Sequence, residues 1–306
     1  MSSLIEQAAQ RLEQLRAAGV EIPLPPVTVS AGPTVAPTAR APVHLADTAS
    51  SRKVEVDLDR LGSAGIVTPL APRSATADQF RVVKRPLIDN AMGKGASTIN
   101  HANLIMVTSA LPGEGKSFTA INLAMSIAAE MDNTVMLVDA DVARPSVLNV
   151  LGLPPSPGLL DLIDGSAEMA DVLLRTNVEK LSILPSGTPH PKATELLASD
   201  AMRQLLDDMA KRYPDRLIIF DSPPLLLTTE ARELASHMGQ IVVVVQAGKT
   251  LQAAVEQALA AIEHCPVRLM LLNQADSATQ AGYGYGYGYG YGYGYGYGAA
   301  ASKPAT

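Results

Sequence analysis

Short apolar segments alternate with segments of helical periodicity from residue 103 onward. The predicted strands are 103–108, 134–138, 181–185, 217–221, 240–246 and 267–273. The predicted helices are about 117–131, 193–211, 229–237 and 250–263. A segment such as 241–245 is continuously apolar, which is typical of strands that are covered on both faces. The pattern predicts an α/β fold of three layers, with a mostly parallel sheet and right-handed crossovers.

The two ends of the chain lack this alternation. Residues 1–19 are predicted to form a short amphipathic helix, with an apolar stripe over 3–18 that ends at Gly19. Residues 20–77 are rich in Pro, Ala, Thr and Ser, which predicts a disordered linker before a folded domain at 78–276. The helix is either a weakly stable solvated segment or a docking helix for a partner, and its pattern does not separate these alternatives.

A flexible tail is predicted at 277–306, and glycine and tyrosine alternate over most of it. Its tyrosines are Tyr283, Tyr285, Tyr287, Tyr289, Tyr291, Tyr293, Tyr295 and Tyr297. A segment that is half glycine cannot bury a core that offsets its chain entropy. The tail is therefore a low-complexity, self-associating segment, one apolar face of a strand, or a set of eight phosphate acceptors.

Composition and charge exclude several classes of protein. A net charge of −6 provides no overall basic surface, so nucleic acid is not an expected partner. The single cysteine, Cys265, excludes an internal disulfide framework and suits a reducing cytosol. Because no apolar run approaches the ~20 residues of a membrane span and no secretory signal opens the chain, a cytoplasmic location is expected, either free or held at a membrane by a partner.

The segment Thr108–Ser117 contains the glycine-bearing loop Leu111-Pro112-Gly113-Glu114-Gly115 followed by Lys116 and Ser117. It lies between a predicted strand and a predicted helix, which is the context that a phosphate-binding loop requires. Lys116 is expected to reach the β/γ-phosphates and the Ser117 hydroxyl to ligate Mg²⁺. The first glycine of the usual spacing is replaced by Ala110. A chance Gly-Lys-Ser turn is the less favoured alternative.

Acidic residues end two further predicted strands. Asp139 and Asp141 follow one apolar segment, and Asp221 follows another. Ligands bind at the carboxyl ends of strands in such sheets, so these side chains can join the phosphate loop. One carboxylate would hold Mg²⁺ while another accepts a proton from an attacking hydroxyl. Arg144 could address phosphate charge, and each strand-end carboxylate taken singly could instead cap a helix.

Three charged residues, Asp78, Arg81 and Lys84, are spaced to fall roughly on one side of a helix. Spacing alone favours a solvated face over a self-association surface.

The ordered set of the loop 110–117, Asp139-Ala140-Asp141, Asp221-Ser222-Pro223-Pro224 and a C-terminal tyrosine cluster resembles the bacterial tyrosine kinases, in particular the autokinases of exosortase-associated exopolysaccharide systems. The resemblance covers about 78–298 well and 1–20 loosely. It implies a P-loop NTPase fold in which residues Leu111 to Phe118 bind ATP. By the same resemblance, Ser117, Asp141 and Asp221 organise Mg²⁺ and Asp139 is the base.

Further roles are implied by the same resemblance. Asp78, Arg81 and Lys84 match the family's association motif, with Asp for Glu and Lys for the second Arg. Asn273 resembles an asparagine that touches adenine in related ATPases. The family's arginine after the second aspartate is replaced by Ala143, and whether Arg144 takes over its role is left open.

The resemblance implies an ATP-dependent tyrosine autokinase that phosphorylates its own tail, in trans within a homo-oligomer, to regulate exopolysaccharide biosynthesis or export. The expected partners are an inner-membrane chain-length or transport activator and a tyrosine phosphatase, which would place the chain peripherally at that membrane. A partitioning-type ATPase switch is an alternative, but those proteins carry a second lysine where this chain has Leu111. A non-catalytic ATP-sensing adaptor is the other alternative, although Lys116 and the three aspartates argue against an inactive site.

Overall fold

The computed structural model describes residues 52–70, 73–95, 98–213 and 215–275. The predicted helix over 3–18, the linker before residue 52 and the tyrosine tail lie outside the described residues. The strands are β1 (Lys53–Val54), β2 (Leu104–Ser109), β3 (Thr134–Asp139), β4 (Leu174–Thr176), β5 (Leu181–Leu184), β6 (Arg216–Asp221), β7 (Gln240–Gln246) and β8 (Val267–Asn273).

The helices lie mostly between these strands. They are α1 (Leu58–Ser63), α2 (Ala75–Ala91), α3 (Lys116–Ala128), α4 (Val147–Leu151), α5 (Leu159–Ile163), α6 (Met169–Val172), α7 (Ala193–Leu197), α8 (Asp200–Arg212), α9 (Thr229–Ser236) and α10 (Gln252–Ala261). None of the described helices is both long and apolar enough to cross a membrane.

The strands form one sheet in the order β1-β4-β5-β3-β6-β2-β7-β8. Every pairing is parallel except that of β4 with β5, which is antiparallel. Alternate side chains of β2 enter different apolar clusters: Ile105 and Val107 pack with α2 and α3, while Leu104 and Met106 pack with α8 and α9. Both faces are therefore covered by helices, which confirms the predicted three-layer α/β fold with a mostly parallel sheet.

All six predicted strands are present, with ends within one or two residues of the expected positions. The predicted helix 193–211 is instead two helices, α7 and α8. The break occurs at Ser199, whose hydroxyl accepts a hydrogen bond from Met202 N at 3.2 Å and caps α8. A serine that satisfies the free N–H groups of a new helix competes with continuation of the preceding one.

The predicted disordered linker over 20–77 is wrong for the described residues 52–70. Val56, Leu61 and Ile66 are each less than 5% exposed and belong to the core cluster that contains α3. The backbone N–H of Val67 donates to the buried Asn122 Oδ1 at 2.7 Å. The alternation of Val54, Val56 and Leu58 with acidic residues was an available signal of a half-buried extended segment, although the surrounding composition is that of a linker. The folded part of the chain therefore begins well before Asp78.

Candidate functional site

The phosphate-loop candidate lies at the carboxyl end of β2 and leads directly into α3. Gly113 and Gly115 have φ angles of 82° and 96°, in the left-handed region that favours glycine. Among the described residues, none accepts a hydrogen bond from the N–H groups of residues 114–118. The loop thus presents consecutive unpaired donors at the start of a 13-residue helix, which is an arrangement suited to anions.

Lys116 and Asp141 face each other across this loop. The Lys116 ammonium lies 3.0 Å from Asp141 Oδ2, and the two side chains are only 14% and 6% exposed. The other oxygen, Asp141 Oδ1, accepts a hydrogen bond from Arg144 N at 3.2 Å. The ion pair holds the lysine in the site, where a bound phosphate would compete with the carboxylate for it.

Asp139 and Asp221 end neighbouring strands and are direct partners in the register of β3 and β6. Both carboxylates are buried, at about 1% exposed or less. Burial, with the charge of Asp221 added, raises the pKa of Asp139 to about 7, although backbone N–H groups oppose the shift. These donors are Val147 N and Ser146 N, each 3.0 Å from Asp139 Oδ2.

Burial also raises the pKa of Asp221, to about 6, and the shift is opposed chiefly by the Ser117 hydroxyl and by the charge of Lys116. Within the described part of the chain, neither oxygen of Asp221 makes a hydrogen bond of normal geometry. The Ser117 hydroxyl accepts a hydrogen bond from Ser146 Oγ at 2.8 Å. Buried carboxylate oxygens without a donor, beside hydroxyl oxygens, match the ligands that Mg²⁺ prefers.

The described residues do not form a metal cage made of protein ligands alone. Across the described ranges, no group of three His, Cys, Asp or Glu side chains is arranged to hold a metal ion by itself. Magnesium is usually bound through one or two carboxylates together with substrate phosphates and waters. The donor set of Ser117, Asp141 and Asp221 therefore fits a magnesium–nucleotide complex better than a resident metal ion.

Comparisons with known proteins agree with this geometry. Residues 100–270 match a family model described as ParA: NUBPL iron-transfer P-loop NTPase. The tyrosine-protein kinase YwqD of Bacillus subtilis (strain 168) is 31% identical over 205 residues, which are 67% of this chain and 83% of that protein. The tyrosine-protein kinase ptk of Acinetobacter johnsonii is 34% identical over 183 residues, but these are 59% of this chain and only 24% of that protein.

A solved structure extends the likeness to three dimensions. The chimerical protein CapA2B2 superposes with a TM-score of 0.56 at 27% identity, covering 69% of this chain and 97% of that one. The chain belongs to the bacterial tyrosine-protein kinases. The predicted family is therefore confirmed, and the P-loop NTPase fold implies nucleotide binding.

The positions of Arg144 and Asn273 bear on the roles predicted for them. Arg144 and Ala143 are exposed, and the structure gives the Arg144 guanidinium no partner within the described residues. Its role in place of the family arginine stays a prediction. Asn273 ends β8, where its side-chain amide donates to the backbone carbonyl of Glu114 at 2.9 Å. Its predicted contact with adenine also stays a prediction.

A cavity of about 720 Å³ lies between α2 and β8 and reaches Phe118 and Asn273. Its other walls are largely apolar, with Phe80 and Leu271 among them. Lys116 and the three aspartates do not line it. The phosphate-binding end of the site is therefore separate from this apolar cavity, although the two meet at the start of α3.

The predicted association motif divides into two parts on α2. Asp78 and Arg81 are exposed and form an ion pair with each other. Lys84 is only 4% exposed, because its ammonium lies 2.7 Å from Glu130 Oε1 and donates to the Ser126 carbonyl on α3. The prediction that Lys84 lies in a subunit interface is therefore wrong, since its side chain already joins two helices of one chain. Asp78 and Arg81 remain candidates.

Two features of the site were missed by sequence reasoning. Ser146 supplies both an N–H to Asp139 and a hydroxyl to Ser117. A serine directly before the apolar segment 147–151 was an available signal for a helix start. Glu114 is predicted only as a loop residue, but it is 2% exposed and its carboxylate accepts a hydrogen bond from Leu111 N within the loop. No local pattern predicts such a buried acid.

Proposed function

We propose that this chain is a magnesium- and ATP-dependent tyrosine autokinase whose acceptors are the phenols of its own tail. The main supporting observation is that two aspartates with different environments lie beside the phosphate loop. One, Asp141, is paired with Lys116, whereas Asp139 is buried with a raised pKa. Both environments occur in a chain that carries eight tyrosines in a Gly-Tyr repeat.

The loop from Leu111 to Phe118 is proposed to hold the triphosphate of ATP. Its unpaired N–H groups and the Lys116 ammonium would neutralise the charge on the phosphate oxygens. Ser117, Asp141 and Asp221 would hold Mg²⁺, which supplies charge neutralisation at the β- and γ-phosphates when it is bound. Arg144, exposed at the rim, would add a further positive charge.

Asp139 is proposed to act as the general base. Its Oδ2 is occupied by two backbone donors, but Oδ1 has no partner among the described residues. Asp139 Oδ1 would accept the phenol proton while the phenol oxygen bonds to the γ-phosphorus and the bond to the β-phosphate oxygen breaks. The products are phosphotyrosine and ADP. A base with a pKa of about 7 is suited to this transfer at neutral pH.

Transfer in trans within an oligomer is proposed, and the tether is long enough to reach a neighbour's site as well as the chain's own. The first acceptor, Tyr283, comes ten residues after Asn273, which a fully extended chain can span over roughly 35 Å. Each phosphotyrosine adds about −1.5 to −2 charge. Phosphorylation of the whole tail would therefore exceed the present net charge of −6 and favour dissociation of an oligomer by self-repulsion.

The cellular role follows only from the resemblance to exopolysaccharide autokinases. We propose that the kinase regulates exopolysaccharide biosynthesis or export. An inner-membrane activator would hold the kinase at the cytoplasmic face of the membrane, and a tyrosine phosphatase would remove the phosphates from the tail. Asp78 and Arg81 are the proposed subunit contacts, and the segment 3–18 is the proposed docking element for the activator.

Intact-mass measurement of the dephosphorylated protein with Mg-ATP tests the proposed reaction. We expect successive additions of phosphate in the wild type, none in Lys116→Met, and none in a 1–281 truncation that lacks the tail tyrosines. Lys94→Met, which removes an exposed lysine outside the site, is the matched control and should behave like the wild type.

Two other outcomes would contradict the proposal. ATP turnover without any mass change would indicate a partitioning-type ATPase. If there is no turnover, the cytoplasmic tail of a candidate activator is added, and continued inactivity would indicate a non-catalytic adaptor.

A further inference from the structure

Two consecutive side chains at the end of β8 donate to two consecutive carbonyls of the phosphate loop. Asn273 Nδ2 lies 2.9 Å from the Glu114 carbonyl, and Gln274 Nε2 lies 3.3 Å from the Gly113 carbonyl. Gln274 has a φ of 57°, a value uncommon for residues other than glycine. The end of β8 is therefore attached to the backbone of the loop itself.

These contacts restrict the direction of the loop N–H groups. Across a trans peptide bond, the carbonyl of one residue and the N–H of the next point in opposite directions. The described residues contain no cis peptide bond. Because the Glu114 carbonyl points toward β8, the Gly115 N–H points away from β8. Because the Gly113 carbonyl is also directed toward the end of β8, the Glu114 N–H points away from it as well. Both N–H groups belong to the unpaired set of the loop.

The Glu114 side chain provides a second attachment on the same side. Its buried carboxylate accepts hydrogen bonds from Leu111 N at 2.6 Å and from Gln246 N at 3.4 Å. It also accepts one from the Thr250 hydroxyl. The loop is thus closed on itself and tied to the end of β7, next to its attachment to β8.

Steric fit shows that Asn273 and the loop are closely matched. A Cβ added at Gly115 would lie 2.1 Å from Asn273 Nδ2, far inside any normal contact. The amide of Asn273 therefore occupies the space that the glycine leaves open. Such an approach requires glycine at position 115 even apart from its φ angle.

We propose that Asn273, assisted by Gln274, is a positioning residue that holds the phosphate loop in its anion-binding conformation, a role that does not depend on a contact with the adenine base. The proposal rests on the proposed nucleotide-binding function and assigns to these residues a role in it. A positioning residue affects every ligand that uses the loop N–H groups. A base-recognising residue affects only ligands that carry adenine.

The test measures the Kd of three ligands in the presence of Mg²⁺: ATP, GTP and inorganic tripolyphosphate. We expect Asn273→Ala to weaken all three by a similar factor of roughly three to ten, the loss of about one hydrogen bond. Gln274→Ala, at an exposed position with a longer bond, should weaken all three by a smaller factor. Met270→Ala, on the exposed face of the same strand, is the matched control and should leave binding unchanged.

The outcomes distinguish this inference from the proposed function. If Asn273→Ala weakens ATP alone, the adenine contact is correct and the positioning role is not. If neither substitution changes any Kd while Lys116→Met abolishes binding, the loop is held without β8 and the inference fails by itself. If the wild type binds none of the three ligands, the proposed function fails as well. If Asn273→Ala lowers the thermal stability of the protein, the test rests on Gln274→Ala alone. Weaker binding of all three ligands by that variant supports the positioning role, and unchanged binding contradicts it.

Discussion

The buried carboxylate of Asp139 should make the ligand-free protein less stable at alkaline pH, and Asp139→Asn should relieve this. A folded-state pKa of about 7 against an ordinary 3.8 corresponds to roughly 4 kcal/mol, at about 1.4 kcal/mol for each pKa unit. Because the pKa is raised on folding, the penalty is complete above pH 7. It shrinks as the pH falls and the folded protein takes up the proton.

The size of the stability gain expected for Asp139→Asn depends on which hydrogen bonds the asparagine side chain retains. Its side-chain oxygen can still accept the hydrogen bonds from Ser146 N and Val147 N. Its NH₂ group replaces the unpartnered oxygen, and burying it costs about 1–3 kcal/mol. We therefore expect Asp139→Asn to be more stable than the wild type by about 2 kcal/mol at pH 8, or about 4–8 °C in Tm.

The pH dependence provides the decisive signature. At pH 5 the wild-type penalty falls to roughly 2 kcal/mol, so the advantage of asparagine should vanish or reverse. Thermal unfolding between pH 5 and 8, with EDTA and without nucleotide, measures this difference. Asp132→Asn, at an exposed carboxylate, makes the same change of charge and should show no such trend. A Tm difference for Asp139→Asn that is negative at pH 8, or constant across this range, would refute the reasoning.

Three further predictions concern other parts of the molecule. Lys84→Met should destabilise the protein by about 2 kcal/mol in urea unfolding because it leaves Glu130 without its buried partner. Arg85→Met, at the exposed neighbouring position, is the control and should change stability by less than about 0.5 kcal/mol. Equal effects of the two substitutions would contradict a stabilising role of the buried ion pair. Gly115→Ala should reduce ATP affinity by a factor of roughly three to ten more than Gly113→Ala, since both have positive φ but only the first displaces the Asn273 amide. Similar binding curves would contradict a role for that contact in nucleotide binding. Phosphorylated and dephosphorylated protein should elute differently in size-exclusion chromatography, with the phosphorylated form smaller, and identical assembly states would refute dissociation by charge repulsion.

The sequence by itself determined the layered fold and the residues that carry chemistry. Continuous apolar strands, helical periodicity and the strand-end positions of Asp139 and Asp221 are local patterns, and local patterns can be read without knowing what packs against them. The glycine positions of the phosphate loop are local for the same reason. These features therefore agree with the structure, while the break before α8 depends on the single capping serine Ser199.

Only the tertiary structure decided which of these residues meet and which are buried. The adjacency of Asp139 and Asp221 depends on the pairing of β3 with β6, which are distant in sequence. Lys84 has the spacing of an exposed residue, but α3 packs over it and supplies Glu130. Asn273 contacts the loop only because β8 ends beside it. Burial and contact are properties of the packed elements, and side-chain periodicity along one element does not contain them.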